Sequence, residues 1–469
     1  MIIITKNILI IGGGITGLSA AYYLKKEILE KNLPYNIKLV EASERLGGKI
    51  KTLKKDGFII ERGPDSFLSR KPATINLIKS LGMEDQLINN NTGQSYVLVN
   101  GKLHKIPVGS FMGIPIQMRP FLASNLISPV GKLRTNFEKV KKKSTPKKDQ
   151  SLGMFFRNRF GNELVENLME PLLGGIYSGD LDKMSLMSTF PNFYQLEQEY
   201  GSLIKGLQAT MPKPPTKKER KKRPGVFYAL TNGFESLVDE LSKQFKEEEV
   251  SLNCAVDHIQ KKDEHYHVLL HNGTVYQADS IVVTTPHDTL PKIFSQYKYF
   301  DHFKKMPQSS VANVALAFNK KAIHKELDGT GYVVSRNSDF RITACTWTHK
   351  KWLHTTPKDK ILLRSYVGRP DDQKVVDLKD DEIIDIVLKD LNKTMKITEK
   401  PLFTVVTRYK NKMPQYTVGH RERLRETNAE MNASLPGVYL AGSSYTGVAV
   451  PDCIKQAEEA VESVIDYLN

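Results

Sequence analysis

Three glycines near the N terminus have the spacing of a loop that binds a diphosphate. Gly12, Gly14 and Gly17 follow the short apolar run 7–11 and precede a segment with apolar residues at helical spacing. In such a loop the first glycine permits a tight turn, the second lets the backbone approach a pyrophosphate, and the third allows close helix–strand contact. The helix N terminus adds free N–H groups and the positive end of the helix dipole. The residues predicted to contact a dinucleotide here are Gly12, Gly13, Gly14, Ile15, Thr16 and Gly17.

An acidic residue indicates which dinucleotide the loop binds. Glu41 ends the predicted second strand, residues 36–41, of a βαβ unit. A carboxylate at this place accepts hydrogen bonds from a ribose diol. Its negative charge disfavours a 2′-phosphate, so NADP is a poor candidate, and FAD and NAD remain.

Further glycine-rich patches favour FAD over NAD. Residues 41–49 have the form E-A-x-x-R-x-G-G-x, in which Arg45 and Lys49 place positive charge near a diphosphate. Residues 61–66, ERGPDS, form another turn-rich patch. At the far end, the predicted strand 437–442 opens into a glycine turn before the closing helix, whose N terminus suits the pyrimidine edge of a flavin or the phosphates. We therefore predict FAD, bound non-covalently by the two ends of the chain.

Four stretches carry a resemblance to a known family, and they are spread from one end of the chain to the other. They are ERGPDSFLSRKP at 61–72, EPLLGGIYSGD at 170–180, PQYTVGH at 414–420 and LAGSSYTGVAVPDC at 440–453. The chain resembles the flavin amine-oxidase superfamily and, within it, the Gram-positive type of bacterial protoporphyrinogen and coproporphyrinogen III oxidases. This resemblance implies a split FAD domain, a substrate domain and a helical domain, and an oxygen-dependent oxidation of a porphyrinogen to a porphyrin.

The resemblance also implies further contacts to the cofactor. Val256 matches a position of backbone contact on the adenine side, and Tyr409 matches an aromatic residue near the flavin. Core packing is the alternative for both residues. The remaining implied contacts are Glu41, Ala42, Lys49, Gly63, Pro64, Asp65, Ser66, Gly447, Val448 and Ala449.

Substrate contacts follow from the same resemblance. Residues 174–177 match a cleft loop, in which Gly175 lets a flat macrocycle approach the backbone and Ile176 packs on a ring face. Arg70 and Lys71 are candidates to pair with propionate carboxylates, with a solvated helix start as the alternative. Tyr366 borders the cleft or is an ordinary strand aromatic. No residue is assigned as a catalytic group, although Asp65, between the flavin and substrate elements, is a candidate to influence deprotonation, and no metal site is predicted.

The elements that position these residues define an α/β fold. We predict a split FAD-binding Rossmann-like domain, a mixed-sheet substrate domain and an inserted helical domain. Helices are expected over 73–90 and 380–395, a hairpin over 95–107 with its turn at Asn100-Gly101, and a strand over 402–407. The predicted domains are 1–75, 225–290 and 405–469 for FAD, 76–104 and 291–404 for the substrate, and 105–224 for the helical domain with its basic loops.

Charge and composition restrict the classes of partner. The net charge is +16, and most of it lies in segments 132–148 (eight Lys/Arg, one Glu) and 212–224 (seven Lys/Arg, one Glu). Neither segment lies in a nucleic-acid-binding motif, so solvated loops, a peripheral membrane contact or a protein partner such as a ferrochelatase remain. No apolar stretch approaches the length of a membrane span. The three cysteines, Cys254, Cys345 and Cys453, are too few and too widely spaced for a disulfide framework or a zinc site, so we expect buried thiols and a cytoplasmic location.

The predicted reaction is the six-electron oxidation of coproporphyrinogen III by O2, with H2O2 as the second product. Basic residues at the entry favour this tetracarboxylate, and protoporphyrinogen IX stays open as a substrate. A flavin amine or amino-acid oxidase is the alternative enzyme, but those enzymes continue the last strand with AGE, whereas Ser443-Ser444 follow Gly442 here. A carotenoid desaturase would have longer apolar stretches. A non-catalytic porphyrin-carrying flavoprotein is the alternative from another class.

Overall fold

The computed structural model describes residues 5–91, 94–145, 149–212, 225–324 and 328–469. The second basic segment, 212–224, lies outside the described residues from 213 onward, as does the end of the first at 146–148. The strands are β1 Lys6–Ile11, β2 Tyr35–Val40, β3 Thr52–Lys55, β4 Phe58–Glu61, β5 Phe67–Leu68, β6 Leu87–Asn89, β7 Ser95–Val99, β8 Lys102–Lys105, β9 Ser110–Phe111, β10 Ile114–Pro115, β11 Phe227–Leu230, β12 Val250–Ser251, β13 Val256–Lys262, β14 His265–Leu270, β15 Val275–Ala278, β16 Ser280–Val283, β17 Gln308–Asn319, β18 Gly331–Val334, β19 Ile342–Trp347, β20 Lys360–Val367, β21 Phe403–Pro414 and β22 Val438–Leu440.

Among the described residues, eleven α-helices have eight residues or more. They are α1 Ile15–Lys31, α2 Pro72–Ser80, α3 Pro129–Asn136, α4 Leu152–Phe160, α5 Glu170–Tyr177, α6 Pro191–Tyr200, α7 Leu203–Thr210, α8 Glu235–Ser242, α9 Asp380–Met395, α10 His420–Ser434 and α11 Val450–Leu468.

A parallel sheet joins the two ends of the chain. Its order is β12-β2-β1-β16-β22, and every neighbouring pair is parallel. Apolar residues on one face of the sheet pack with α1, α8 and α11 in one core, including Ile8 and Leu18. The doubly covered parallel sheet explains why β1 and β16 are almost continuously buried. Both glycine turns leave this sheet at the carboxyl ends of its strands, where such sheets bind ligands.

A seven-stranded sheet of order β21-β17-β20-β19-β18-β7-β8 stands beside the parallel sheet. It is mixed, because β18 and β7 run parallel while its other neighbours are antiparallel. One face packs under α9, with Val387 and Leu391 in a core that includes Leu316 and Leu363. The fold is therefore α/β with one parallel and one mixed sheet, as predicted, whereas the exact domain boundaries stay a prediction.

The described residues of segment 116–212 are mostly helical, as predicted. Its core contains Phe156, Phe160 and Phe193. A buried ion cluster fixes the basic segment to this core: the Arg159 guanidinium lies 2.6 Å from Glu138 and 3.1 Å from Glu197, and all three side chains are at most 1% exposed. Since each charge has partners, the cluster avoids the large cost of a lone buried ion.

Some of the predictions for single helices and strands are confirmed, and others are wrong. Helix α9 spans the predicted residues, and the hairpin turns at Asn100-Gly101, where both residues have positive φ. The helix predicted over 73–90 is wrong beyond Ser80, because Gly82 (φ +69°) ends it and a strand follows at Leu87–Asn89. The strand expected over 402–407 continues to Pro414.

Two further sequence-based expectations concern the whole chain. In the described part of the chain, no helix is long and apolar enough to cross a membrane. All three thiols are free, as expected, but only Cys345 and Cys453 are buried; the prediction that Cys254 is buried is wrong, since it is half exposed at the rim of the parallel sheet.

Candidate cofactor and substrate site

Each of the three glycines Gly12, Gly14 and Gly17 is needed for a different structural reason. Gly12 has φ +109°, and a Cβ there would lie 2.6 Å from the Thr284 hydroxyl. A Cβ on Gly17 would lie 1.8 Å from the carbonyl oxygen of Gly12, so this glycine allows the first turn of α1 to pack on the loop. Around Gly14, by contrast, a Cβ would meet nothing within 4 Å. The open side of Gly14, at the uncapped N terminus of α1, is where a pyrophosphate would fit.

Glu41 lies at the carboxyl end of β2 and holds the loop in place. Its Oε2 accepts a hydrogen bond from the Gly13 N–H at 2.6 Å, and its Oε1 accepts from the N–H and hydroxyl of Ser43 at 2.8 and 2.7 Å. A carboxylate has about four acceptor sites, which leaves capacity for a ribose diol. The neighbouring Ala42 is exposed.

Val256 lies two residues after Cys254, which hydrogen-bonds to the backbone of Glu41. The Cys254 N–H donates to the Glu41 carbonyl at 2.8 Å, and Val256 begins β13 two residues later. The side chain of Val256 is half-buried and packs on the core beside the parallel sheet. The structure thus places Val256 near the adenosine end of the predicted site and also in the core, and its contact with the cofactor stays a prediction.

Arg45 and Lys49, which were predicted to place positive charge near a diphosphate, both donate hydrogen bonds to backbone carbonyls. The Arg45 guanidinium donates to the carbonyls of Leu46, Gly48 and Ile50, so it braces the glycine pair from behind. The Lys49 ammonium donates to the Lys412 carbonyl at 2.5 Å, and burial lowers its pKa. That Arg45 places positive charge near a diphosphate stays a prediction, and its spacing in the sequence did not show that the guanidinium binds the carbonyls of Leu46, Gly48 and Ile50.

The second glycine turn precedes α11 and lies against the first. Gly442 (φ +128°) and Gly447 (φ +151°) bend the chain before α11, whose N terminus at Ala449 has no side-chain cap. A Cβ on Gly442 would lie 3.6 Å from the Thr16 hydroxyl. The Cys453 thiol, in the first turn of α11, hydrogen-bonds to the Thr16 side chain in the first turn of α1, so the two helix N termini are neighbours. Gly447 is buried, whereas Val448 and Ala449 are half exposed. Two adjacent uncapped helix N termini form a site for a diphosphate or a flavin carbonyl.

Residues 63–66 lie between the two sheets. A Cβ on Gly63 would lie 1.9 Å from the Lys49 carbonyl oxygen, which explains the glycine. The Tyr409 hydroxyl donates to the carbonyls of Lys49 and Arg62 at 3.1 and 3.0 Å, so Tyr409 fixes both segments. Pro64 is half-buried, and Ser66 donates its hydroxyl proton to Asp65 at 2.7 Å.

Asp65 is the centre of a charge cluster that sequence reasoning missed. Its carboxylate lies 3.2 Å from the Lys351 ammonium, 3.3 Å from the Arg364 guanidinium and 3.4 Å from the Trp352 indole N–H. Burial alone would raise the pKa of Asp65, but the charges of Lys351 and Arg364 outweigh it and hold the pKa below its usual range. Asp65 is therefore a fixed anion and a poor proton acceptor near neutral pH.

Arg364, Tyr366 and Asn313 lie on one face of the mixed sheet, next to residues 61–65. Arg364 donates to the Gly63 carbonyl at 2.5 Å and lies 5.4 Å from the Tyr366 ring centre. Asn313 donates to the carbonyls of Glu61 and Arg62. Among the described residues, the Asn313 Oδ1 and the Arg364 Nε have no hydrogen-bond partner although both residues are buried. Such orphaned atoms in this place fit a polar cofactor or substrate.

The predicted cleft loop 174–177 is instead the last part of helix α5. The prediction of a loop is wrong because 170–177 forms hydrogen-bonded turns that end at Ser178, which has φ +50°. Gly174 packs against the Gly179 carbonyl, whereas a Cβ on Gly175 would meet nothing within 4 Å. Ile176 is 44% exposed, an unusual state for an isoleucine beside a core. Gly175 and Ile176 thus form an open, apolar surface.

Arg70 and Lys71 differ in their surroundings. The Arg70 side chain is exposed and its guanidinium lies 5.5 Å from the Phe111 ring centre. The Lys71 ammonium is 2.5 Å from the Asp452 carboxylate in the first turn of α11. Lys71 therefore links the start of α2 to the first turn of α11 through a partly exposed ion pair, whereas Arg70 is exposed.

The site fits a flavin dinucleotide in three observations: the open side of Gly14, the two uncapped helix N termini, and the orphaned polar atoms opposite residues 61–65. In the described part of the chain, no cluster of His, Cys, Asp or Glu could hold a metal ion.

Comparison with known proteins agrees with this geometry. The sequence model of flavin-containing amine oxidoreductases matches residues 15–465. The chain belongs to this family of flavin-dependent oxidoreductases. Its relatives include the coproporphyrinogen III oxidases of Bacillus subtilis (strain 168), 51% identical over 99% of this chain and 98% of that protein, and of Staphylococcus aureus (strain NCTC 8325 / PS 47), 45% identical over 99% and 100%. The chloroplast protoporphyrinogen oxidase of Nicotiana tabacum is more distant, at 27% over 98% and 85%.

Solved structures give the same result. A crystal structure from Exiguobacterium sp. 255-15, described as a candidate protoporphyrinogen oxidase, superimposes with a TM-score of 0.87 at 37% identity over 98% of each chain. Putrescine oxidase shares the fold, with a TM-score of 0.67 at 13% identity over 99% of each chain.

Proposed function

We propose that this protein is an FAD-dependent oxidase that converts coproporphyrinogen III to coproporphyrin III with O2 as the final acceptor. The observation that carries this proposal is the 51% identity, along nearly the whole of both chains, with a coproporphyrinogen III oxidase. The open apolar surface of Gly175 and Ile176 supports it, because a flat macrocycle needs close approach on one face.

FAD supplies, when bound, the two-electron oxidation of a C–H bond and the reaction with O2. Conversion of a porphyrinogen to a porphyrin removes six electrons and six hydrogens, so three O2 are reduced to three H2O2. The protein's task is to bind, orient and exclude water. We propose that residues 12–17, Glu41, Ala42, Lys49, 63–66, Val256, Tyr409 and 447–449 contact FAD.

On the substrate side, we propose that Gly175, Ile176 and Tyr366 border the macrocycle and that Arg70 pairs with a propionate. Lys71 contributes through its ion pair with Asp452. Asp65 stays ionised between Lys351 and Arg364, so these three side chains together carry one positive charge beside the site, and burial raises the pKa of the neighbouring Glu61 to about 7, which weakens its opposing charge. Such a charge attracts a polycarboxylate, and proton loss from a pyrrole N–H does not need Asp65 as the base.

The decisive comparison is turnover of two porphyrinogens by the aerobic FAD-loaded protein. We expect porphyrin fluorescence to rise faster than in an enzyme-free control, with kcat/KM for coproporphyrinogen III at least about tenfold above that for protoporphyrinogen IX. A protein that accelerates neither, but oxidises a diamine or an amino acid, would be the amine oxidase alternative. Bound FAD with no H2O2 from any of these substrates would indicate a porphyrin carrier.

We also propose a cytoplasmic location and a contact of the first basic segment with an anionic partner, a ferrochelatase or a membrane surface. Within this segment Lys141 and Lys143 donate to the carbonyls of Asn158 and Gln198, so part of the charge braces the loop itself. Neutralising Lys141, Lys142 and Lys143 without a change in binding to either partner would contradict this contact.

A further inference from the structure

Tyr416 is a buried residue that lies between the two halves of the candidate site. Its side chain is fully buried, and its hydroxyl donates to the Ser443 carbonyl at 2.8 Å and accepts from the Gly447 N–H at 3.0 Å. These two groups are the ends of the turn that leads into α11. The Tyr416 hydroxyl therefore bridges the two ends of this turn.

The ring of Tyr416 is itself held by two aromatic neighbours. It stacks on His420 with ring centres 4.4 Å apart and an interplanar angle of 7°, and it meets the edge of Tyr177 at 5.7 Å. His420 adds a third contact to the same turn, because its Nε2 lies 2.8 Å from the Tyr445 carbonyl. Burial lowers the pKa of His420 to about 4, so the imidazole is neutral and Nε2 carries the proton that it donates.

The same segment also holds helix α5, which carries Gly175 and Ile176. The Gln415 side-chain amide donates to the Tyr177 carbonyl at 2.8 Å, and the Tyr416 carbonyl accepts from the Ser185 N–H at 2.8 Å. Met184 and Thr417 form a β-bridge. Residues 415–420 thus contact the turn 443–447 on one side and the end of α5 on the other.

We propose that Tyr416 is a positioning residue, and that residues 415–420 form a clamp that sets the distance between the cofactor-binding turn 443–447 and the substrate-facing end of α5. The inference rests on the proposed function, since it takes the turn as part of the FAD site and α5 as part of the substrate site. Tyr416 does the first task through its hydroxyl, and Gln415 does the second through its amide. Burial raises the pKa of Tyr416 well above its usual value, so the hydroxyl stays protonated and able to donate.

Two variants separate the tasks. Tyr416→Phe keeps the stacked ring but removes both hydrogen bonds to the turn, so we expect the Kd of the apoprotein for FAD to rise about tenfold and the visible circular dichroism of the bound flavin to change. Gln415→Met keeps the volume but removes the amide that donates to the Tyr177 carbonyl and also to the Ser309 hydroxyl and the Met413 carbonyl. We expect KM for the porphyrinogen to rise several-fold, with kcat and the Kd for FAD nearly unchanged.

Tyr445→Phe is the matched control. Tyr445 is also a buried tyrosine of the same turn, but within the described residues its hydroxyl has no hydrogen-bond partner. Its loss should leave the Kd for FAD within twofold of the wild type. Melting temperatures of the three apoproteins exclude global unfolding as the cause of any difference.

The outcomes distinguish this inference from the proposed function. Wild-type protein that binds no FAD would contradict the proposed function itself. Wild-type protein that binds FAD while Y416F and Y445F have equal Kd values and equal flavin dichroism would overturn only the clamp. A rise in KM for Y416F alone, with no change for Q415M, would also overturn it, because the two contacts would then not divide as described.

Discussion

The glycines of the first turn show how one residue type serves several purposes within six positions. Gly12 and Gly17 are required by the fold of the protein without its cofactor. A Cβ on Gly12 would overlap Thr284, and a Cβ on Gly17 would overlap the Gly12 carbonyl. Gly14 faces open space instead. The lack of a side chain at Gly14 matters only when a ligand lies there. Substitutions can therefore separate glycines needed for folding from a glycine needed for binding.

Gly14→Ala should therefore weaken FAD binding without unfolding the protein. We expect the Kd for FAD to rise at least about tenfold, while the free energy of unfolding of the apoprotein changes by about 1 kcal/mol or less, the cost of losing a glycine N-cap. Titration of apoprotein with FAD and urea unfolding measure the two effects. Gly17→Ala is the control and should destabilise the apoprotein severely; the reverse order of the two variants would contradict this assignment.

Asp65 gives a second prediction at the residue scale. Asp65→Asn leaves Lys351 and Arg364 without their anion, which costs about 3 kcal/mol for a buried pair. Because the folded-state pKa lies below the usual value near 4, the contribution is present above that pH and is lost as the pH falls below it. Urea unfolding of both proteins at neutral pH and near pH 3 should show a gap that narrows on acidification. A gap independent of pH would exclude the charge as its cause.

At the scale of elements, amphipathic patterning decides what the sequence reveals. Helix α9 was predictable, because acidic residues lie in its first turn and Ile383, Val387 and Leu391 recur at helical spacing. Helix α10 was not predicted, because its sequence is polar almost throughout and only His420, Leu424, Thr427 and Met431 are buried. Its place comes from tertiary contacts, such as the stack of His420 on Tyr416.

The start of α10 should make the fold sensitive to acid. The folded-state pKa of His420, about 4, is below the usual value near 6.5, so its contribution is present above pH 6.5 and is lost as the pH falls to 4. The full loss is about 3 kcal/mol, the energy of that shift. Nearby His287, His302 and Arg423 act in the same direction. His420→Gln should lose less stability over this range than the wild type in denaturant unfolding; parallel losses would contradict the prediction.

At the scale of the whole molecule, the chain returns to its start. Strand β22 completes the sheet that contains β1, and helix α11 packs on it. The two glycine turns meet only in the folded protein. The glycine spacing and Glu41 were enough to predict the strand–turn–helix unit at the N terminus and the place of Glu41 at the end of the next strand. The cluster of Asp65 with Lys351 and Arg364 was not predictable, because nearly 300 residues separate its members and neither cation lies in a recognisable motif. The direction of the Arg45 guanidinium, toward the carbonyls of Leu46, Gly48 and Ile50, likewise depends on backbone geometry that spacing does not encode.

The central claim is that a porphyrinogen delivers its electrons to the bound flavin. The most direct measurement is anaerobic mixing of the FAD-loaded protein with coproporphyrinogen III, followed by visible absorbance and porphyrin fluorescence. The account predicts rapid bleaching of the flavin, which takes two of the six electrons. When air is admitted, the flavin colour should recover with formation of H2O2, and porphyrin fluorescence should begin as the remaining four electrons are removed. A flavin that is bound, and reducible by dithionite, but stays oxidised with coproporphyrinogen III would contradict the account.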